Sequence, residues 1–271
     1  MTDPVPLKTD RSFSPVAALH CPNMIAIASG KGGVGKTWFA VTLCHALAKR
    51  GKRVLLFDGD LGLANVDIQL GLTPEKDLAH VMDGEIGLPE AVTPYPEGGF
   101  DILAGRSGSG SLATLATQKV ADLRQALVGL AQNYDLAAID LGAGVDRATR
   151  QMAGPAATTY VLVTDEPTSL TDAYAFIKLA RAANPHADLR VVVNMANTTN
   201  EGQKTYDTIR KAAETFLRYT PPLAGIVRRD LKVRDAIRAQ TPLLTRSPNC
   251  EAASDVTLIA GQIIAGQLLN R

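Results

Sequence analysis

Short, uninterrupted apolar runs alternate along the chain with longer segments whose apolar residues recur at helical spacing. Such runs are typical of strands buried on both faces, and the longer segments are typical of amphipathic helices. The runs predict strands at residues 24–29, 53–58, 100–104, 135–140, 159–164, 190–194 and 223–227. The helical spacing predicts helices at residues 35–50, 77–83, 88–92, 118–133, 169–183, 201–219, 232–239 and 252–269. This alternation predicts an α/β fold, in which a doubly wound, mostly parallel sheet carries helices on both faces.

The N-terminal 22 residues differ from the rest of the chain. They contain Pro4, Pro6 and Pro15 with scattered charges, and they lack the apolar run of a signal peptide. We therefore interpret residues 1–22 as a flexible leader and residues 23–271 as a single domain, because one α/β domain of this size is common. No run of about 18 apolar residues predicts a membrane span.

A glycine-rich segment follows the first predicted strand and opens the first predicted helix. It satisfies the pattern G-x-x-x-x-G-K-[ST] with Gly30, Lys31, Gly32, Gly33, Val34, Gly35, Lys36 and Thr37. Glycines let successive backbone N–H groups point at one anion, and the helix adds the positive end of its dipole. Lys36 is expected to reach the β- and γ-phosphates, and the Thr37 hydroxyl is expected to hold Mg²⁺. The segment predicts a P-loop that binds a nucleotide.

Acidic residues end two of the predicted strands. Asp58 ends the strand at 53–58 and Asp60 lies two residues later, and Asp140 ends the strand at 135–140. Because ligands sit at the carboxyl ends of parallel strands, these side chains are expected to face the phosphates. An acid that ends an apolar strand matches the Walker B arrangement, which places Asp140 on Mg²⁺ through water.

Charge and cysteine content exclude several classes of protein. The chain has 28 basic and 27 acidic residues, a formal net charge of +1, so no overall field draws it onto polyanions. Cys21, Cys44 and Cys250 are odd in number and far apart, which predicts neither disulfides nor a zinc site and indicates a reducing compartment. A cytoplasmic protein is the expectation.

The second lysine of the loop, Lys31, is not part of the general pattern, and here the sequence resembles the deviant P-loop ATPases of the MinD/ParA family. The resemblance implies a P-loop NTPase fold of SIMIBI type and an ATP-bound homodimer in which Lys31 reaches the partner's nucleotide. It also implies that Asp60 orients the attacking water and that Asp58 supports the magnesium shell. Asn194 matches the asparagine that contacts adenine in relatives. Lys31, Lys36 and Asp60 are thus the catalytic candidates, with ATP and Mg²⁺ as cofactors.

Several further segments resemble the FlhG/FleN branch of this family, the regulators of flagellar number. They are residues 58–67, 70–72, 78–84, 166–174 and 191–195. The branch implies a slow, dimerising ATP switch that controls the placement or number of polar flagella through a flagellar assembly or regulatory protein. It also implies recruitment of a cytoplasmic protein to a cell pole.

The sequence departs from the family pattern in four places. No D-Q-A-x-x-L-R motif, which stimulates the partner GTPase FlhF, occurs in the leader. Residues 252–271 carry a single cation, which argues against direct membrane binding. Trp38 completes the predicted nucleotide-binding segment where relatives carry a small polar residue, so side-chain help with the α-phosphate is lost. A proline on the adenine side is replaced near Arg228.

A basic stretch at residues 228–238 leaves two interpretations open. Five cations and two anions suit either a nonspecific DNA patch, as in ParA relatives, or a solvated helix face that pairs its own aspartates. The DNA interpretation goes with an alternative function, a ParA-like ATPase that positions chromosome, plasmid or protein-cluster cargo on the nucleoid. An iron–sulfur carrier of the same superfamily is disfavoured because the cysteines form no pair.

Overall fold

The computed structural model describes residues 19–60, 64–105 and 117–269. The strands are β1 (Cys21–Ala28), β2 (Val54–Gly59), β3 (Val92–Tyr95), β4 (Phe100–Leu103), β5 (Leu136–Leu141), β6 (Ala156–Val163), β7 (Leu189–Ala196) and β8 (Leu223–Arg228). The helices are α1 (Lys36–Ala48), α2 (Val66–Leu70), α3 (Leu78–Met82), α4 (Thr117–Ala131), α5 (Arg147–Ala153), α6 (Pro167–Ala183), α7 (Thr199–Leu217), α8 (Leu231–Arg238), α9 (Leu243–Arg246) and α10 (Glu251–Leu269). A 3-10 helix covers Leu88–Ala91.

All eight strands form one sheet in the order β3-β4-β2-β5-β1-β6-β7-β8. Every neighbouring pair is parallel except β3 and β4, which are antiparallel at the edge. The carboxyl ends of β1, β2 and β5 therefore lie side by side at the centre of the sheet. The register pairs Asp58 of β2 directly with Asp140 of β5, which brings two acids together.

Two apolar layers cover the two faces of the sheet. Ile25 and Ile27 of β1 join α1, α8, α9 and α10 in one layer. Met24, Ala26 and Ala28 point the other way and pack with α4, α5, α6 and α7. Because successive residues of a strand face opposite sides and both sides are buried, the central strands read as continuous apolar runs. The doubly wound α/β prediction is confirmed.

The sequence pattern missed several short elements. Residues 88–92 were expected to be a helix, but the helical turn ends at Ala91 and strand β3 begins at Val92. Pro94 lies within β3, and a proline is tolerated there only because the strand is at the edge of the sheet. Helices α2, α5 and α9 are four to seven residues long, too short for a periodic signal.

The start of the domain also differs from the expectation. Most of the predicted leader lies outside the described residues, but β1 begins at Cys21, inside the 1–22 segment. The Cys21 N–H donates to the Pro155 carbonyl, and the Asn23 amide donates to the carbonyls of Ala131 and Tyr134. These bonds tie residues 21–23 to the residue before β6 and to the connection between α4 and β5. Over the ranges that the structure covers, no helix has the length and apolar character needed to cross a bilayer.

Candidate functional site

The glycine-rich loop connects the end of β1 to the start of α1. Gly33 and Gly35 have φ values of 79° and 85°, the left-handed region that side chains disfavour. Gly35 is the N-cap of α1, so Lys36 and Thr37 occupy its first two positions. A Cβ on Gly30 would lie 2.2 Å from the backbone carbon of Asp172, so α6 packs directly against the loop. The loop has the conformation and the helix N-terminus that a phosphate site requires.

Lys36 lies beside Asp140 under the loop. The distance from Lys36 Nζ to Asp140 Oδ1 is 3.7 Å, and the two side chains are 9% and 1% exposed. Neither carboxylate oxygen of Asp140 has a hydrogen-bond partner within the part of the chain that the structure describes. Burial raises the pKa of Asp140, and the nearby Lys36 ammonium and Thr37 hydroxyl offset part of that effect. A buried carboxylate with unused oxygens beside a threonine hydroxyl is the donor set that a hard cation prefers.

The oxygen donors of Asp140 and Thr37 fit Mg²⁺ better than they fit a metal ion that is bound only by protein side chains. In the described ranges, no group of three or more histidine, cysteine, aspartate or glutamate side chains could hold a metal ion. Mg²⁺ usually keeps several waters and takes one or two protein oxygens together with the phosphates of a nucleotide. Asp140 and Thr37 could supply that small number of ligands.

Asp58 is more constrained than Asp140. Its Oδ1 accepts the Asp60 N–H at 3.1 Å, and its Oδ2 accepts the N–H groups of Asn65 and Val66 at 3.0 and 3.1 Å. Burial and the neighbouring charge of Asp140 raise the pKa of Asp58 to about 7, although these three donors act in the opposite direction. Asp58 therefore shapes the chain that follows β2. Its predicted support of the magnesium shell stays a prediction.

Asp60 lies at the mouth of the site. A Cβ added to Gly142, just after β5, would be 3.5 Å from the Asp60 carboxyl carbon, so the carboxyl faces the loop after Asp140. The Asp60 charge also raises the pKa of Asp140, which places the two acids within electrostatic reach. The structure thus brings Lys36, Asp140 and Asp60 together, as the position of the lysine in the P-loop and of the acids at strand ends predicts.

Lys31 points away from this cluster and lies at the N-terminus of α6. Its ammonium pairs with Glu166 and donates to the Thr168 hydroxyl at 2.9 Å. The hydrogen bond from Lys31 lowers the pKa of Glu166, which is 60% exposed. The two lysines of the loop therefore have different surroundings: Lys36 is buried, and Lys31 is at the surface.

The two remaining predicted contacts are buried. The Asn194 side chain, 2% exposed, lies at the end of β7 and donates to the Val34 carbonyl at 2.8 Å. Trp38 packs into the apolar layer, and its Nε1 is buried without a hydrogen-bond partner among the described residues. The structure brings both residues to the P-loop. Their contacts with a nucleotide stay predictions, as does any role of Gly32, whose added Cβ would meet only Ala143 at 3.9 Å.

The cations of the basic stretch at residues 228–238 differ in whether they form ion pairs. Arg228 makes ion pairs with Asp255 at 2.8 Å and Glu251 at 2.6 Å, which lie on α10. Sequence reasoning missed these partners, which are more than 20 residues away. The remaining cations are exposed and have no ion pair within the described part of the chain; they are Arg229, Lys232, Arg234 and Arg238.

Comparison with known proteins relates this site to a family. The model of the CobQ/CobB/MinD/ParA nucleotide binding domain matches residues 25–243. Antiactivator FleN of Pseudomonas aeruginosa is 36% identical over 248 residues, covering 92% of this chain and 88% of FleN. Flagellum site-determining protein YlxH of Helicobacter pylori is 29% identical over 242 residues, covering 89% of this chain and 81% of YlxH.

A solved structure shows the same fold. The cell division ATPase MinD of Pyrococcus furiosus superposes with a TM-score of 0.75 at 22% identity, covering 90% of this chain and 98% of MinD. The relatives confirm the resemblance to the FlhG/FleN branch, and MinD confirms the P-loop fold. With its glycine-rich loop, buried lysine and strand-end acids, the chain belongs to the CobQ/CobB/MinD/ParA nucleotide-binding family and is an ATPase of the MinD/ParA type.

Proposed function

We propose that the chain is an ATP-dependent switch that dimerises around two ATP molecules, hydrolyses them slowly and controls the placement or number of polar flagella. The flagellar part rests on two relatives, named antiactivator FleN and flagellum site-determining protein YlxH. A cytoplasmic protein recruited to a cell pole by a flagellar assembly or regulatory protein is consistent with this function. Hydrolysis resets the switch, so its slowness is part of the function.

The contrast between the two loop lysines carries the dimer proposal. Lys36 is enclosed beside Asp140 and can serve only the nucleotide of its own subunit. Lys31 is 35% exposed and held by two side chains on the outer surface of α6. Rotation of its side chain away from Glu166 would carry the ammonium toward a second subunit. The Lys31–Glu166 pair would therefore have to break when the dimer forms.

The chemistry follows from the residues around the loop. Backbone N–H groups of the loop and the Lys36 ammonium bind the phosphates and neutralise charge as it develops on them. Thr37 and Asp140 would hold Mg²⁺, which would supply positive charge to neutralise the phosphates. Asp60, at the mouth of the site, orients the attacking water by accepting its hydrogen bond. Positioning of that water requires a closed site, so hydrolysis depends on the dimer and on a partner that stabilises it.

A light-scattering measurement of molar mass in ATP and Mg²⁺ tests the dimer. We expect the wild-type protein to be a dimer that decays to monomer with hydrolysis, and Asp60→Ala to remain a dimer. We expect Lys31→Ala to bind fluorescent ATP but stay monomeric, and the exposed Lys204→Ala to behave as wild type. A Lys31→Ala protein that dimerises as wild type does would refute the role of Lys31.

The flagellar role is tested in cells. A strain that lacks this protein is expected to show an altered number or position of flagella by electron microscopy. Wild-type protein restores the pattern, and Lys36→Ala, which cannot bind ATP, does not. Co-purification with ATP-locked Asp60→Ala is expected to recover flagellar switch or transcription components. Unchanged flagella in the deletion strain would refute the proposal.

The exposed cations on α8 and just before it favour a second candidate, a ParA-like ATPase that binds the nucleoid. Arg229, Lys232, Arg234 and Arg238 have no ion pairs in the described ranges, whereas Arg228 is neutralised by α10. If this function holds, random duplex DNA binds only with ATP, and binding falls steeply with salt. Arg234→Glu should abolish that binding and Lys204→Glu should not. Absence of binding at low salt eliminates this candidate.

A further inference from the structure

A cavity of about 550 Å³ lies at the end of the sheet opposite the P-loop, where β6 and β7 begin. Its lining includes Ala156 and Leu189, the first residues of β6 and β7, whereas the P-loop follows the last residue of β1. An eight-residue strand such as β6 spans roughly 23 Å, so the cavity and the nucleotide site are at opposite ends of the strands. Its volume is within the range of small-molecule sites.

Three arginines line this cavity, which we call the arginine cavity. Arg124 comes from α4, and Arg147 and Arg150 come from α5. None of the three forms an ion pair with another residue that the structure describes. The Nε atom of Arg124 is buried and lacks a hydrogen-bond acceptor within the same ranges. A buried charged donor without an acceptor is unfavourable, and an anion in the cavity would supply the missing acceptor.

The one acidic residue of the lining does not neutralise the arginines. Asp188 is paired with Arg190, which does not line the cavity, at 2.9 Å, and it accepts a hydrogen bond from the Thr158 hydroxyl at 2.8 Å. Its charge is thus already balanced from outside. The three guanidinium groups are therefore available to bind a ligand, and their planar sets of N–H donors match phosphate and carboxylate groups.

Most of the remaining wall is apolar, with Gln151, Thr159 and Asn184 as polar members, and this lining favours a ligand with two different parts. Leu19, Ala153, Ala180 and Ala187 line the cavity together with Phe176. Inorganic anions would leave this apolar surface uncovered, and purely apolar ligands would leave the guanidinium groups without acceptors. The lining fits an organic anion with a phosphate or carboxylate group and an apolar body.

Helix α5 connects the arginine cavity to the nucleotide site. The loop before it begins at Gly142, which faces Asp60, and the Gly144 N–H donates to the Ser29 carbonyl beside the P-loop at 3.0 Å. The Arg150 Nε donates to the Val145 carbonyl in the same loop at 3.2 Å. Movement of Arg150 toward a ligand would pull on a loop that contacts both the P-loop and Asp60.

We propose that the arginine cavity is an effector site that binds an organic anion through Arg124, Arg147 and Arg150 and alters nucleotide affinity through α5. Two groups of atoms provide the coupling: the loop that begins at Gly142 and the Arg150 side chain that binds it. By thermodynamic reciprocity, a ligand that changes nucleotide affinity is itself bound with an affinity that depends on the nucleotide.

The test uses 8-anilinonaphthalene-1-sulfonate, an aromatic anion that becomes fluorescent in apolar sites. It is titrated into the full chain with the P-loop saturated by Mg-ADP, so the nucleotide site does not compete. We expect one site per chain, at least tenfold weaker binding in Arg124→Gln and Arg150→Gln, and wild-type binding in Lys119→Gln, an exposed cation on α4. Melting temperatures of the four proteins establish that all are folded.

Competition then identifies the anionic group, and a second titration tests the coupling. Displacement of the probe by phenyl phosphate supports a phosphorylated ligand, and displacement by benzoate supports a carboxylate. The Kd of fluorescent ADP is expected to change at least threefold when the cavity is saturated with the probe, and to be unchanged by it in Arg124→Gln. Equal probe binding in all four proteins, or binding that neither anion displaces, would overturn the anion site. An unchanged Kd for ADP would overturn its role as an effector site.

Discussion

The buried pair of Lys36 and Asp140 permits a quantitative prediction about the unliganded site. At 3.7 Å the Coulomb energy of two unit charges is about 4.5 kcal/mol for an effective dielectric constant near 20. Little solvent screening is expected, because the side chains are only 9% and 1% exposed. Removal of the lysine leaves a buried carboxylate without its cation, the change that destabilises buried pairs most strongly.

A double-mutant cycle measures this energy by urea unfolding without nucleotide at pH 7.5. We expect Lys36→Met to lower the free energy of unfolding by about 2–4 kcal/mol, because protonation of Asp140 recovers part of the Coulomb energy. Asp140→Asn should lower it less, because this change removes the repulsion with Asp58 together with the attraction to Lys36. The double variant should resemble Asp140→Asn, which gives a coupling energy of about 2–4 kcal/mol.

The exposed pair of Lys76 and Glu90 provides a matched control. Its charged atoms are 3.8 Å apart, nearly the same distance, but the side chains are 52% and 58% exposed. Exposed pairs contribute roughly 0–1 kcal/mol. A cycle on Lys76→Met and Glu90→Gln should therefore give a coupling energy below about 1 kcal/mol. Equal coupling energies in the two cycles would refute the argument that burial sets the strength of the Lys36–Asp140 pair.

Three further predictions concern the same region. The folded-state pKa of Asp58, about 7, lies above the ordinary aspartate value of 3.8, so the protein without nucleotide should lose stability as pH rises from about 4 to 7, and Asp58→Asn should remove that loss in urea unfolding at several pH values. Burial lowers the pKa of His45 to about 4, so its contribution has the opposite sign: stability is lost as pH falls from about 6.5 to 4, and His45→Gln should abolish this loss. Gly35→Ala should abolish binding of fluorescent ADP and destabilise by about 1–3 kcal/mol, because its Cβ would lie 2.5 Å from the Asn194 amide nitrogen at φ 85°. Gly51→Ala, with φ 76° and nothing within 4 Å, isolates the backbone strain, and an equal loss of stability in both variants would contradict the steric argument.

The core of the site could be predicted from sequence because its geometry is local or follows from strand order. The P-loop is a continuous segment, and its glycines are required at positive φ by the backbone itself. Asp58 and Asp140 end neighbouring parallel strands, and the carboxyl ends of such strands meet at one edge. Their residue types and positions were therefore sufficient to bring them together.

The partners of charged surface residues could not be predicted in the same way. Lys31 pairs with Glu166, 135 residues away, and Arg228 pairs with Asp255 through the packing of α10 on β8. These contacts depend on how the helices pack on the sheet, and the spacing of residues in the sequence does not predict them. Strand β3 was missed for a different reason, since its four residues include Pro94 and its neighbour in the sheet is antiparallel.

The electrostatics of the buried acids bear on the proposed nucleotide-dependent switch. Asp58 and Asp140 are buried carboxylates whose charges repel each other, Lys36 pairs with Asp140, and the pKa values of both acids are raised. Under the proposed magnesium role of Asp140, a divalent cation that binds with the nucleotide would supply positive charge beside these two acids and reduce their repulsion. Mg-ADP should accordingly stabilise the wild-type protein more than Asp140→Asn at equal saturation, which thermal unfolding at several Mg²⁺ concentrations measures. Equal stabilisation of the two proteins would mean that Asp140 does not interact with the bound cation. That result would refute the proposed magnesium role of Asp140.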